Sequence, residues 1–210
     1  MDLYFSPLAC SMATRIALYE AGGEATFSYV DTRAKRVADG SDFLAINPMG
    51  QVPVLRTESG LLMENPVVLQ YVADRFPASG LAPAGGFERY RLQQWLSFTT
   101  SELHKLVFTP LLDPKSNEGA KAYAREKAEP RFAYLNNHLE GRDYLLDNFT
   151  VADAYLVTVL SWGQHSGIDL ARWPAVQAYF HRMCKRPSVA KALAEELALY
   201  KEQQARRSAA

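Results

Sequence analysis

One of the chain's two cysteines, Cys10, lies in Ser6-Pro7-Leu8-Ala9-Cys10-Ser11-Met12-Ala13, between a short apolar run and a segment with helical periodicity. A thiol at a helix N-terminus feels unpaired backbone amides and the positive end of the helix dipole. Both favour the thiolate, so its pKa is expected below the free value of about 8.5. Such a sulfur can act as a nucleophile or meet a sulfur-bearing ligand. The position suits equally well a small residue filling a gap under the helix. Cys184, in Phe180-His181-Arg182-Met183-Cys184, reads as a packed thiol in an amphipathic helix. The two cysteines form no C-x-x-C pair, and no export signal is seen, so they read as free thiols of a reducing cytoplasm. The His and Cys residues lack the spacing of metal ligands, so no metal is expected.

Two further stretches carry chemistry only in combination. In Asn47-Pro48-Met49-Gly50-Gln51-Val52-Pro53-Val54-Leu55, a cis Val52–Pro53 bond would let Val52 present its N–H and C=O to an extended, peptide-like ligand. An ordinary loop into an edge strand accounts for the same residues. In Met63-Glu64-Asn65-Pro66, Glu64 can hold an ammonium and the amides after Asn65 a carboxylate, which suits the zwitterionic head of an amino acid. A capped helix with a surface Glu is the simpler reading of that stretch alone. Lys35, in Arg33-Ala34-Lys35-Arg36, reads by itself as a solvated charge. A lone His104 on a long helix is more often packed or superficial than catalytic.

The elements that must position these residues divide the chain. Residues 2–5 and 25–30 read as strands and residues 11–21 as a helix stopped by Gly22-Gly23, an order that implies a right-handed βαβ crossover. Short strands at 52–56 and 61–63 flank a turn. Residues 66–76 read as a helix with Asn65 as N-cap and Pro66 at its first position. Residues 78–86, rich in Gly and Pro, form the linker. Beyond it no convincing strand is found. A long helix spans 87–108 and is broken by Pro110 and Pro114. Another spans 117–139, with a kink or break expected at Pro130. Thr150-Val151-Ala152-Asp153 has the form of a capping box, assigned to folding. Helices follow at 174–184 and 187–200, and residues 203–210 read as a frayed tail. The expected fold is therefore α/β plus all-α: residues 1–77, a linker, and a helical domain over 87–202. The 210 residues carry a formal net charge of zero, which disfavours a nucleic-acid binder, and no apolar run is long enough to span a membrane.

Together these stretches resemble the glutathione transferase family, and within it the bacterial beta class. The resemblance rests on Ser6–Ser11, on residues 43–55, on Glu88-Arg89-Tyr90 with Trp95-Leu96, on Ser101-Glu102-Leu103-His104-Lys105 and on residues 149–155, in the family's order. It implies a thioredoxin-like N-terminal domain that binds glutathione and an all-helical C-terminal domain that contributes the electrophile site. It implies that the Val52 backbone, beside Gln51 and a cis Pro53, pairs with the cysteinyl unit, that Glu64 and Asn65 hold the γ-glutamyl head and that Lys35 neutralises the glycine carboxylate. Cys10 and His104 would face the glutathione sulfur. Ser97, Ser101, Glu102 and Leu103 belong to the segment that reaches the ligand in this class, and Trp162 and His165 lie near where the class lines its electrophile pocket. Asn65 and Ser97 depart from the residues usual at those positions. The implied activity is conjugation of glutathione, as co-substrate, to small apolar electrophiles by a cytoplasmic homodimer, with no tightly bound cofactor. A monothiol oxidoreductase or peroxidase using Cys10, and a non-catalytic binding protein on the same fold, remain open alternatives.

Overall fold

The computed structural model describes residues 1–208. Two compact units emerge from the packing: Met1–Leu81 together with the chain from Pro187 onward, and Ala82–Arg186.

The first unit is built on a five-stranded sheet. Its strands are β1 (Asp2–Phe5), β2 (Thr26–Asp31), β3 (Arg36–Val37), β4 (Val54–Thr57) and β5 (Gly60–Leu62), in the order β3-β2-β1-β4-β5. β1 is central, parallel to β2 and antiparallel to β4, with Leu3 opposite both Phe27 and Leu55. Leu3, Tyr4 and Phe5 are all buried, which is why β1 is a continuous apolar run rather than an alternating one. Helix α1 (Met12–Ala21) joins the parallel pair and ends at Gly22, whose φ of 65° lets its amide close back on the last turn. β4 and β5 form the expected hairpin about Thr57–Gly60. Tyr4, Val30, Val37, Phe43 and Val54 make one core cluster, and Val52 and Met63 pack against it. The segments on either side of β4 and β5 are thus anchored by their own apolar residues.

Helix α2 spans Asn65–Arg75, so Asn65 is its first residue rather than its cap. Glu64 takes the cap position through its carbonyl, which accepts the amides of Val67 and Val68. The final helix of the chain, Pro187–Ser208, also belongs to this unit and packs along α1. It replaces the tail expected from residue 203. Gln203 donates to the Tyr29 hydroxyl of β2 at 2.6 Å, which holds the helix past the point where the sequence turns polar. Ala209 and Ala210 lie outside the described residues.

The second unit is helical. It contains α3 (Gly86–Phe98), a π-helical segment (Thr99–Phe108), α4 (Thr109–Leu112), α5 (Glu118–Leu139), α6 (Val151–Leu160), α7 (Gly163–Ser166) and α8 (Pro174–Cys184). The chain stays helical through Pro110 and Pro130, and the expected break falls before Pro114. Pro110 falls in the first turn of α4, where the ladder changes from π to α spacing and a missing N–H is tolerated, and the helix ends only at Leu112. α5 runs on through Pro130 because Pro130 and Glu126 both face solvent, where water can take the freed carbonyl. All of α6 is buried. Its Asp153 carboxylate accepts the Leu145 amide, the Thr150 amide and hydroxyl, and the Tyr179 hydroxyl, at 2.9–3.0 Å. Burial pushes this carboxyl's pKa up, and the four donors oppose that rise.

Candidate functional site

The first unit brings several of the sequence-selected residues together. Cys10 lies just before α1, half-buried, and its thiol donates to the Val52 carbonyl at 3.2 Å. Its own carbonyl accepts the Asn65 side-chain amide at 3.1 Å, while the Thr14 hydroxyl donates to Asn65 Oδ1 at 3.2 Å. Asn65 therefore ties α2 to the start of α1 with both ends of its side chain. With that side chain buried and engaged in protein bonds, the backbone amide of Asn65 is the group it presents at the helix N-terminus. Ser11 steadies the same loop by bonding both the amide and the carbonyl of Ser6.

The Val52–Pro53 bond is cis, as expected. Pro53 is buried and Val52 half-buried. The Val52 amide takes no partner among the described residues, so this backbone position keeps an unused donor beside a carbonyl that meets only a weak thiol donor. Gln51 is exposed, and its carbonyl accepts the Asn47 side chain at 2.7 Å.

Backbone strain gathers in these same segments. Among the described residues, Leu8, Lys35 and Glu64 are the non-glycine residues with positive φ, at 59°, 55° and 63°. Each costs on the order of 1–3 kcal/mol and persists only where its surroundings impose it. Lys35 reaches across to donate to the Gly50 carbonyl at 2.8 Å. Gly50 itself has a φ of 61°, and a Cβ there would approach the Lys35 side chain to 2.9 Å. That glycine is what lets the lysine lie along the loop, a signal present in the sequence and not used. Glu64 is exposed at the mouth of α2. A carboxylate, a helix N-terminus, a lysine and an open backbone amide therefore stand on segments anchored in one core, a set of one acceptor and three donors matched to an extended, doubly charged peptide-like molecule.

In the second unit, His104 lies within the π-helical segment, the form in which helices often carry functional side chains. Its Nδ1 is 2.8 Å from the Tyr155 hydroxyl, and its ring meets Trp162 edge-on with centroids 4.9 Å apart. Burial, with Lys105 adding to it, pushes the imidazole pKa down to about 3, so the ring is neutral at any ordinary pH. Tyr155, buried in α6, was not singled out by sequence reasoning; its bond to His104 is visible only once the helices pack.

The neighbouring candidates differ. Ser97 and Ser101 are exposed and bonded to each other, Ser101 Oγ donating to the Ser97 carbonyl at 3.0 Å. Glu102 is paired with Arg131 at 2.7 Å. Leu103 is fully buried, so its side chain serves the core rather than a ligand. His165 is exposed, one turn beyond Trp162. A cavity of about 410 Å³ in this unit is lined by Leu160, Ile168, Phe180 and His181 among others, and by neither Trp162 nor His165. Cys184 is half-buried, and burial pushes its thiol pKa up, as suits a packed residue. No cluster of three or more His, Cys, Asp or Glu side chains able to hold a metal ion is found among the described residues. Among those residues no helix is long and apolar enough to cross a membrane.

Residues 2–74 match the family "Glutathione S-transferase, N-terminal domain", and residues 99–187 match "Glutathione S-transferase, C-terminal domain". The chain is 40% identical over 199 residues to the glutathione S-transferase GstA of Escherichia coli O157:H7, covering 93% of this chain and 98% of that one. Among solved structures, a sphingomonad glutathione S-transferase complexed with glutathione is 47% identical, with a TM-score of 0.89 over 93% of this chain and 98% of that chain. The bacterial beta class glutathione S-transferase of Sphingomonas chungbukensis is 43% identical, with a TM-score of 0.89 over the same shares.

Proposed function

The chain belongs to the glutathione S-transferase family, and from that premise we propose that it joins the thiolate of glutathione to small apolar electrophiles. The observation that carries this reading is the Cys10–Val52 contact. A thiol rests on the carbonyl of a backbone position whose amide is unused and can pair with a peptide-like ligand in the manner of a strand. Glutathione laid along Val52 would bring its cysteinyl unit, and so its sulfur, to that thiol. Glu64 and the N-terminus of α2 suit the γ-glutamyl head, and Lys35 suits the glycine carboxylate. We assign glutathione to residues 1–77 and the electrophile to the helical domain, with Trp162 and His165 as candidate contacts and Ser97, Ser101 and Glu102 as polar groups of the segment before His104.

The chemistry needs a glutathione thiolate near neutral pH. Donors aimed at the sulfur supply this electrostatically. The Cys10 S–H is one such donor. His104 suits the same role in the tautomer in which the Tyr155 hydroxyl donates to Nδ1 and Nε2 carries the proton. A base with a pKa of about 3 is too weak to hold a thiol's proton, which selects the donor role over the base. The thiolate attacks the electrophilic carbon, and the displaced group leaves with the bonding pair.

A second reading is favoured by the same contact. With glutathione disulfide, the Cys10 thiolate would attack one sulfur, release the other half as glutathione thiolate and keep a mixed disulfide. We also assign the protein a homodimeric state, for which Phe87 and Tyr90 on α3, 76% and 68% exposed, offer an aromatic surface.

The test is glutathione-dependent chloride release from an activated aryl chloride. The protein should accelerate it well above the uncatalysed rate, and Glu64→Ala should raise the KM for glutathione at least tenfold. No acceleration with any of a panel of aryl, alkyl and enone electrophiles would overturn conjugation.

A further inference from the structure

We propose that Glu196, on the last helix, is the positioning residue that fixes the Cys10 loop. This rests on the reading above in taking Cys10 as the residue that meets the ligand sulfur. Glu196 is fully buried. Its Oε2 accepts the Leu8 amide at 2.7 Å and its Oε1 accepts Arg15 Nε at 2.9 Å. Leu8 precedes Cys10 by two residues and Arg15 follows it by five, so one carboxyl group clamps the chain on both sides of the thiol.

The clamp has a rigid far side. The Arg15 guanidinium carbon lies 4.3 and 4.0 Å from the ring centroids of Phe5 and Phe27, and its Nη1 donates to the Tyr19 hydroxyl and to Glu195 at 3.2 and 3.3 Å. Arg15 cannot swing to water, so it fixes Glu196 rather than following it. The near side is a strained residue. Leu8 holds a φ of 59° at the third position of the Ser6–Ala9 turn, which the Ala9 amide closes on the Ser6 carbonyl, and Glu196 takes the Leu8 amide of that same turn from 188 residues away in sequence. Burial pushes the Glu196 carboxyl pKa up to about 7 despite Arg15. The charged and the neutral forms both accept an amide, so the grip on Leu8 holds across neutral pH. A glutamate buried at this depth serves no ligand directly. Its two bonds place the thiol opposite Val52.

The test reads the reactivity of Cys10 itself, in a Cys184→Ser background so that only one thiol responds. Glu196→Ala removes the acceptors of both the Leu8 amide and Arg15 Nε. Glu196→Asp keeps the charge and, one methylene shorter, falls short of Leu8. Each should raise the rate of Cys10 alkylation by iodoacetamide at neutral pH at least threefold, as the loop leaves the Val52 carbonyl. The control is Ser188→Ala, which removes a different tie between the same two helices, the Ser188 hydroxyl donating to Glu20 at 2.5 Å, and should stay within twofold. Rates within twofold for the Glu196 variants, or an equal rise in Ser188→Ala, would overturn the proposal by reducing Glu196 to general packing. If neither Glu196 variant folds, hydrogen exchange in the unsubstituted protein decides: the Leu8 amide should be as slow as the core amides of α1, and exchange at the rate of an open loop would overturn the clamp. None of these measurements uses glutathione, so absent glutathione binding would sink the functional reading while leaving the clamp standing.

Discussion

The thiol of Cys10 and the carbonyl of Val52 lie 3.2 Å apart, with the sulfur donating. Residues 42 apart in sequence thus meet at one point, and that point sets a thiol beside a backbone amide with no partner among the described residues.

The contact predicts where oxidised glutathione reacts. Incubation with glutathione disulfide should give one glutathionyl adduct by mass spectrometry, on Cys10. It should vanish in Cys10→Ala and persist in Cys184→Ser. Modification confined to Cys184 would place the reactive sulfur elsewhere.

His104 should not titrate where histidines usually do. Its folded-state pKa, about 3, lies below the ordinary 6.5. As pH falls, the unfolded chain takes up this proton first, so the contribution to stability is complete above about 6.5 and is lost as pH drops from there toward 3. The imidazole signals of His104 should stay flat in NMR spectra between pH 8 and 5. His104→Gln should flatten part of the stability loss below pH 6.5. A midpoint near 6.5 would refute the neutral-donor role.

Asp153 should matter to folding and not to ligands. Asp153→Ala strands four buried donors at once and is expected to cost about 3–5 kcal/mol, in the range for breaking a buried charged network. Urea unfolding of the variant checks this, and a loss under about 1 kcal/mol would show that the network carries little.

What could be read without coordinates was local. The continuous apolar character of Leu3–Phe5 and the Gly22 stop follow from neighbouring residues, whereas the cis bond before Pro53 is implied only by the family resemblance. What escaped depends on residues distant in sequence. Asn65 looks like a cap until Thr14 and Cys10 claim its side chain, and the positive φ of Glu64 then moves the cap back by one residue. Pro130 looks like a breaker until its face proves to be solvent. Leu103 sits inside a motif that resembles a ligand-reaching segment, yet the π-helical turn points it into the core. Tyr155 and Glu196 carry no motif, and each is identified only by the partner it meets across the fold.

Conjugation as proposed requires that the first domain bind glutathione. Calorimetric titration of the reduced protein with glutathione, beside Cys10→Ala, tests it most directly. Binding is expected with a Kd between about 1 μM and 1 mM, the span in which enzymes commonly hold their substrates. It should weaken by no more than about tenfold in the variant, because the thiol supplies one hydrogen bond of about 1 kcal/mol. No heat of binding in either protein would contradict the account.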